Sequence, residues 1–215
     1  MSKKVVKYYQ IPDEHWKRIH FVRPRFKSNI ENVLLYMASE CCRIPTSTCE
    51  KYNEAYYNAI RMFPGNLGAT KKTLENWRTE IPALFGFYTE NKQKNVTVTS
   101  RMAEFLNDNQ DLTQFLKLFL LTFQFPGGHL KAKDTKELID CGIRFKPAQM
   151  ILKVLMAGNA LLANKEMSLN AEEATYCIFN DLRVTTGKQA PQITAEIILK
   201  NRTKKLKYYN LIIIK

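Results

Sequence analysis

Lys71, Lys72, Glu75, Asn76 and Thr79 recur at the spacing that places side chains on one face of an α-helix. These are the types that read base edges and hold phosphates. Lysine donates to guanine acceptors, asparagine pairs with adenine, and glutamate accepts from the cytosine amino group. Thr70, Leu74, Trp77 and Ile81 share the opposite face, with the Thr70 hydroxyl at the N-cap position. Thr70 and Thr73 sit where a helix N-terminus leaves N–H groups for one DNA phosphate. The pattern predicts a helix that enters a DNA major groove.

A helix of that kind needs elements to aim it, and the flanking sequence supplies them. Ser47 and Glu50 form a capping signature for a helix that runs through Tyr52 to Phe63. Residues 64–68 (Pro-Gly-Asn-Leu-Gly) break it, because proline cannot continue a helix and glycine adopts angles that other residues avoid. Pro82 is expected to stop regular structure after Ile81. Residues 85–89 and 96–99 are short β-type runs joined by the polar stretch 90–95, with Lys92 and Lys94 at its tip. Residues 100–106 predict a short helix behind this hairpin. Upstream, residues 28–31 read as a capping box, and Ile30, Val33, Leu34, Met37 and Cys41 as a buried helical stripe. Helix, turn, helix, strand, basic loop, strand is the order of a winged helix-turn-helix. The predicted fold class is mainly α with a small β-hairpin wing (α+β), followed by a helical subdomain.

Residues 1–27 hold eight Lys and Arg against Asp13 and Glu14, mixed with aromatics. They read as a basic N-terminal arm able to lie along a groove. Arg23, Arg25 and Lys27 alternate, so an extended chain presents all three on one side. Residues 28–125 form the expected winged-helix subdomain. Its last helix, residues 112–125, is apolar on most sides and predicts burial between two layers. Pro126-Gly-Gly128 marks the expected boundary. Residues 126–215 read as a helical linking subdomain, which either precedes or begins a second winged helix. Its helices are expected from Pro147 to about Ala157, from Asn170 to Asn180 with Asn170 and Glu173 as capping box, and from Pro191 to about Leu206. The basic run at Lys200, Arg202, Lys204, Lys205 and Lys207 suits a solvated face or a phosphate backbone. The apolar, strand-like run at residues 210–215 wants a partner, which suggests that the natural polypeptide continues.

Charge narrows the function classes. The 33 basic and 20 acidic residues give a net charge of +13, which favours polyanions such as nucleic acid or an acidic membrane surface. The most apolar segment, residues 115–125, is too short to span a bilayer and contains Lys117 and Gln124. Met1 to Lys7 is basic but no apolar run follows, so no signal peptide is read and a cytoplasmic location is expected. The five cysteines form no CxxC pair and read as buried thiols. Catalytic groups do not assemble. His15, His20 and His129 lack zinc spacing with the cysteines. Residues 65–73 lack the spacing of a phosphate-binding P-loop. Glu90-Asn-Lys92 offers half of a nuclease motif, but the nearest upstream aspartate is Asp13. No catalytic residue and no cofactor are expected in this chain.

Residues 69–81 (Ala-Thr-Lys-Lys-Thr-Leu-Glu-Asn-Trp-Arg-Thr-Glu-Ile), 123–127 (Phe-Gln-Phe-Pro-Gly) and 151–155 (Ile-Leu-Lys-Val-Leu) carry a resemblance. The chain resembles, from about Trp16 to Lys207, the N-terminal DNA-recognition domain of type IIS restriction endonucleases of the BpuJI kind, and more distantly that of FokI. The resemblance implies a region with two winged-helix subdomains and a linking subdomain that reads a short asymmetric site. A separate C-terminal nuclease domain, with Mg2+, would cut outside that site. It places Lys71, Lys72, Glu75, Asn76 and Arg78 on the reading helix and Arg23, Arg25 and Lys27 on the arm. The chain departs from the pattern by ending about where a second winged helix begins and by lacking a nuclease domain. Two rivals remain: a winged-helix transcriptional regulator that binds palindromic sites as a dimer, and an interaction module whose basic faces bind an acidic protein.

Overall fold

The computed structural model describes residues 7–19, 30–64, 66–127, 129–163 and 165–208. The proposed capping box at residues 28–31, the arm cations Arg23, Arg25 and Lys27, and the terminal run 210–215 fall wholly or partly outside them. The chain divides into two compact units, one of Phe21–Thr122 with Gly127–Thr135, the other of Met1–His20, Phe123–Pro126 and Lys136–Lys215.

In the first unit α1 (Ile30–Arg43) buries Val33, Leu34, Met37, Ala38 and Cys41 on one stripe. Ile30, expected in that stripe, is exposed; periodicity assigns a face without saying where along it the packing partner ends. A two-residue strand β1 (Ser47–Thr48) follows, then α2 (Cys49–Met62). Ser47 does not cap α2. It is opposite Thr97 in the sheet, and Thr48, the next residue, accepts from the Lys51 N–H at 3.4 Å instead. Pairing holds Ser47 extended, so the cap moves one residue on. Helix α3 (Lys71–Arg78) starts at Thr70, whose hydroxyl accepts from the Thr73 N–H at 3.3 Å.

Pro82 does not end this helix. A π-helical turn, Thr79–Ala83, carries it on to Phe85 with Pro82 inside. The wider turn relieves the clash that a proline ring makes with an α-helical ladder, and Phe87 donates back to the Pro82 carbonyl at 2.8 Å. As a result the first strand of the hairpin begins three residues later than the sequence suggests. It is β2 (Tyr88–Asn91), antiparallel to β3 (Val96–Thr99), and the turn tightens to residues 92–95. Asn91 accepts from the Lys94 N–H at 3.1 Å, and Asn95 takes a positive φ of 48°, a conformation asparagine tolerates. The sheet order is β1-β3-β2.

Behind the hairpin α4 (Arg101–Asn109) is capped by Ser100, which accepts from Met102 and Ala103. Helix α5 (Leu112–Thr122) buries Phe115 against Phe85 and Phe87. It is not sandwiched between layers as expected, because Leu118, Leu120 and Leu121 are exposed. The core gathers Leu34, Met37, Tyr52, Tyr56, Ile60, Leu74, Ile81, Phe87, Leu106 and Phe115, each worth about 1.5–3 kcal/mol of apolar burial.

A helix that the sequence did not suggest, α6 (Ala132–Asp140), carries the chain from the first unit into the second. There α7 (Pro147–Leu161) and α10 (Pro191–Thr203) both start on the expected prolines. A short α8 (Ala171–Glu173) runs into a π-helical stretch Ala174–Phe179, and α9 (Leu182–Thr185) follows. The Asn170–Glu173 capping box is present. Gly158 lets Met167 close on α7, since a Cβ there would sit 1.8 Å from the Met167 sulfur. Residues 7–19 pack within this unit. Tyr9 donates to Lys207 at 2.9 Å, Lys17 to Asn180 at 3.0 Å, and Trp16 bridges Asp181.

Of the five cysteines, only Cys41 and Cys177 are buried; Cys141 is exposed and the other two are half-buried. Burial pushes the Cys41 and Cys177 thiols up to about 12, so both stay protonated and unreactive. Among the described residues no helix is long and apolar enough to cross a membrane.

Candidate nucleic-acid interface

The expected reading face is built around α3. Its approach is fixed by the end of α2: Asn66 donates through its side chain to the Ile60 carbonyl at 3.0 Å and through its backbone to Phe63 at 3.0 Å. Gly68 then takes a φ of +77°, which an L side chain resists. On the inner face Leu74 and Ile81 are buried, and half-buried Trp77 lies 5.3 Å from the Phe63 ring. On the outer face Lys71, Lys72 and Glu75 are exposed, with Thr73, Asn76 and Thr79 half-buried beside them. Thr70 and Thr73 share a hydroxyl contact at 3.1 Å, and the Thr79 hydroxyl donates to the Glu75 carbonyl at 3.0 Å. Lys92 and Lys94 are exposed at the tip of the hairpin. Among the described residues none of these four lysines has an ion-pair partner.

Arg78 behaves differently from the other helix cations. Its Nε donates to the Tyr88 hydroxyl at 3.0 Å and a terminal nitrogen donates to Glu90 at 3.0 Å. The guanidinium lies 5.8 Å from the Tyr88 ring centroid. Burial opposes its charge, but Tyr88, Tyr57 and Glu90 outweigh that cost and hold it firmly protonated. Arg78 is therefore a tie between α3 and β2. Glu90, expected as a wing residue, is its carboxylate anchor. Helical spacing could not show this, because Tyr88 and Glu90 meet Arg78 through the hairpin.

The sequence reading passed over a second basic group. Arg144, Lys146 and Lys153 line a groove of about 350 Å³ in the second unit, with Gln124, Gln149 and Gly187. The signal that could have found it is the Arg-Phe-Lys-Pro run at 144–147, where alternation puts both cations on the side opposite an apolar residue. Among the described residues no three His, Cys, Asp or Glu side chains form a group that could hold a metal ion.

Comparison with known proteins bears on the whole chain. No curated protein matches it. A solved structure, of the BpuJ1 endonuclease binding domain in complex with pyrene- and phenanthrene-modified DNA, matches with a TM-score of 0.78 at 26% identity. The match covers 92% of this chain and 69% of that one. The model of the N-terminal region of the restriction endonuclease BpuJI matches residues 9–212. By a family match over nearly its full length, and a shared fold over 92% of its residues, this chain belongs to the BpuJI N-terminal restriction-endonuclease family.

Proposed function

We propose that this chain is a sequence-specific, double-stranded DNA-recognition domain of a type IIS-like restriction endonuclease. It reads a short asymmetric site through the major groove, and cleavage belongs to a separate Mg2+-dependent nuclease domain or subunit. The observation that carries the reading is α3. It is anchored on one face by Leu74 and Ile81 and offers Lys71, Lys72 and Glu75 to solvent on the other. The order α1, β1, α2, α3, β2, β3 and the sheet order β1-β3-β2 fit a winged helix-turn-helix, whose second helix reads bases. The hairpin tip, with Lys92 and Lys94, takes the part of the wing. The BpuJ1 relative, solved on DNA, supports the same partner for this chain.

In this reading Lys72 and Asn76 meet base edges, Thr70, Lys71, Thr73, Lys92 and Lys94 meet phosphates, and Glu75 and Thr79 contribute hydrogen bonds to bases. Arg23, Arg25 and Lys27 are assigned to the groove from the arm. Arg78 acts indirectly, by holding the hairpin on α3. Selection from a randomised duplex library at near-physiological salt tests the proposal. One asymmetric motif of a few base pairs is expected. A palindrome would assign the chain to a dimeric regulator, and no enrichment would contradict sequence-specific recognition by this chain.

A further inference from the structure

The groove in the second unit is built by the chain's own pairing. Phe125 and Phe145 exchange two backbone hydrogen bonds, at 2.8 Å and 3.0 Å. Both rings are buried, 5.7 Å apart, and Phe145 lies 6.1 Å from Phe179. Successive side chains in extended backbone point to opposite sides. Burying the two phenylalanines therefore turns Gln124, Arg144 and Lys146 outward, into the groove. Helix α7 adds Gln149 and Lys153, and the groove lining contains no acidic residue. Arg144 and Lys153 have no ion-pair partner among the described residues.

We propose that this groove is a second nucleic-acid contact that takes backbone phosphates, independent of the base-reading helix. Guanidinium and amide groups suit phosphate oxygens, and no carboxylate lines the groove. Its length argues for a chain of phosphates over a single anion. Lys153 lies seven residues beyond Lys146, about 10 Å along a helix axis and roughly three times the rise per nucleotide of one DNA strand. The inference rests on the nucleic-acid reading and extends it to the second unit.

The test is the salt dependence of duplex binding by the whole chain and by Arg144→Ala, Lys153→Ala and Lys165→Ala. Lys165 is exposed and follows the other end of α7, so it removes the same charge away from the groove. Each groove variant is expected to lower the slope of log affinity against log salt by about 0.9, equally on selected and random duplexes. Lys165→Ala should leave the slope as it was. Groove variants with the wild-type slope would overturn the proposal, whereas absence of any duplex binding by the wild-type chain would overturn the nucleic-acid reading itself. Backbone amide shifts distinguish the source of the phosphate. Duplex should move the signals of Gln149, Lys153 and Gly187. Movement by inorganic phosphate alone, with none by duplex, would assign the groove to a free anion and overturn the backbone contact.

Discussion

The two units differ in how deeply their paired carboxylates are buried, and both leave cations in solvent. In the second, carboxylates are buried and arginines close on them. Asp181 is 0% exposed and meets Arg183 through two side-chain bonds, and Glu173 is 2% exposed and meets Arg202 at 2.7 Å through both oxygens. In the first, Arg78 ties to Glu90 and Arg43 to Glu40, carboxylates that are only partly buried, while the lysines of α3 and the hairpin tip stay unpaired, as Arg144 and Lys153 do in the second. The difference separates structural cations from available ones. A cation closed on a buried acid holds the fold, and one left in solvent can meet a polyanion. Net charge alone counts both kinds together.

Breaking the paired cations should show as stability. Arg202→Ala leaves Glu173 buried with only the Asn170 N–H for company, and is expected to lower unfolding free energy by about 3 kcal/mol, read from the denaturant midpoint. Sequence preference for DNA should survive. Breaking an available cation should show as recognition. Lys72→Ala or Asn76→Ala is expected to cost roughly 1–3 kcal/mol of binding to the selected duplex, with an unchanged denaturant midpoint. Glu90→Gln probes the intermediate case. It should cost about 1 kcal/mol of stability, and hydrogen exchange should rise in β2.

The same comparison sets a pH dependence. Burial opposes ionisation of Glu173, but the Arg202 guanidinium and the Asn170 N–H outweigh it and hold the carboxyl below the usual range. A depressed folded-state value stabilises the fold above the ordinary glutamate range, and the contribution is lost as pH falls through the folded-state value. Acid unfolding of the wild-type chain should therefore be steeper than that of Arg202→Ala, the smallest of the expected effects.

Local grammar made part of this legible. The Thr70 cap, the Leu74 and Ile81 stripe, the Asn170–Glu173 box and the prolines opening α7 and α10 all act within one or two helical turns, so short spacing reports them. Pro82 misled because the rule against proline concerns the α-helical ladder and the chain escapes it with a wider turn. Leu118, Leu120 and Leu121 misled because an apolar run says nothing of what covers it. Arg78 and the Phe125–Phe145 pair depend on partners brought in by the fold, and Tyr9 meets Lys207 from nearly the whole chain away. No periodicity carries such contacts.

The central claim is that α3 distinguishes sequences while cations that meet only the phosphate backbone, Lys204 among them, add affinity alike to all. The direct measurement is binding of Lys72→Ala and Lys204→Ala to the selected duplex and to a scrambled one. The account predicts that Lys72→Ala weakens the selected duplex far more than the scrambled one, and that Lys204→Ala weakens both equally. Identical behaviour of the two variants on both duplexes would contradict it.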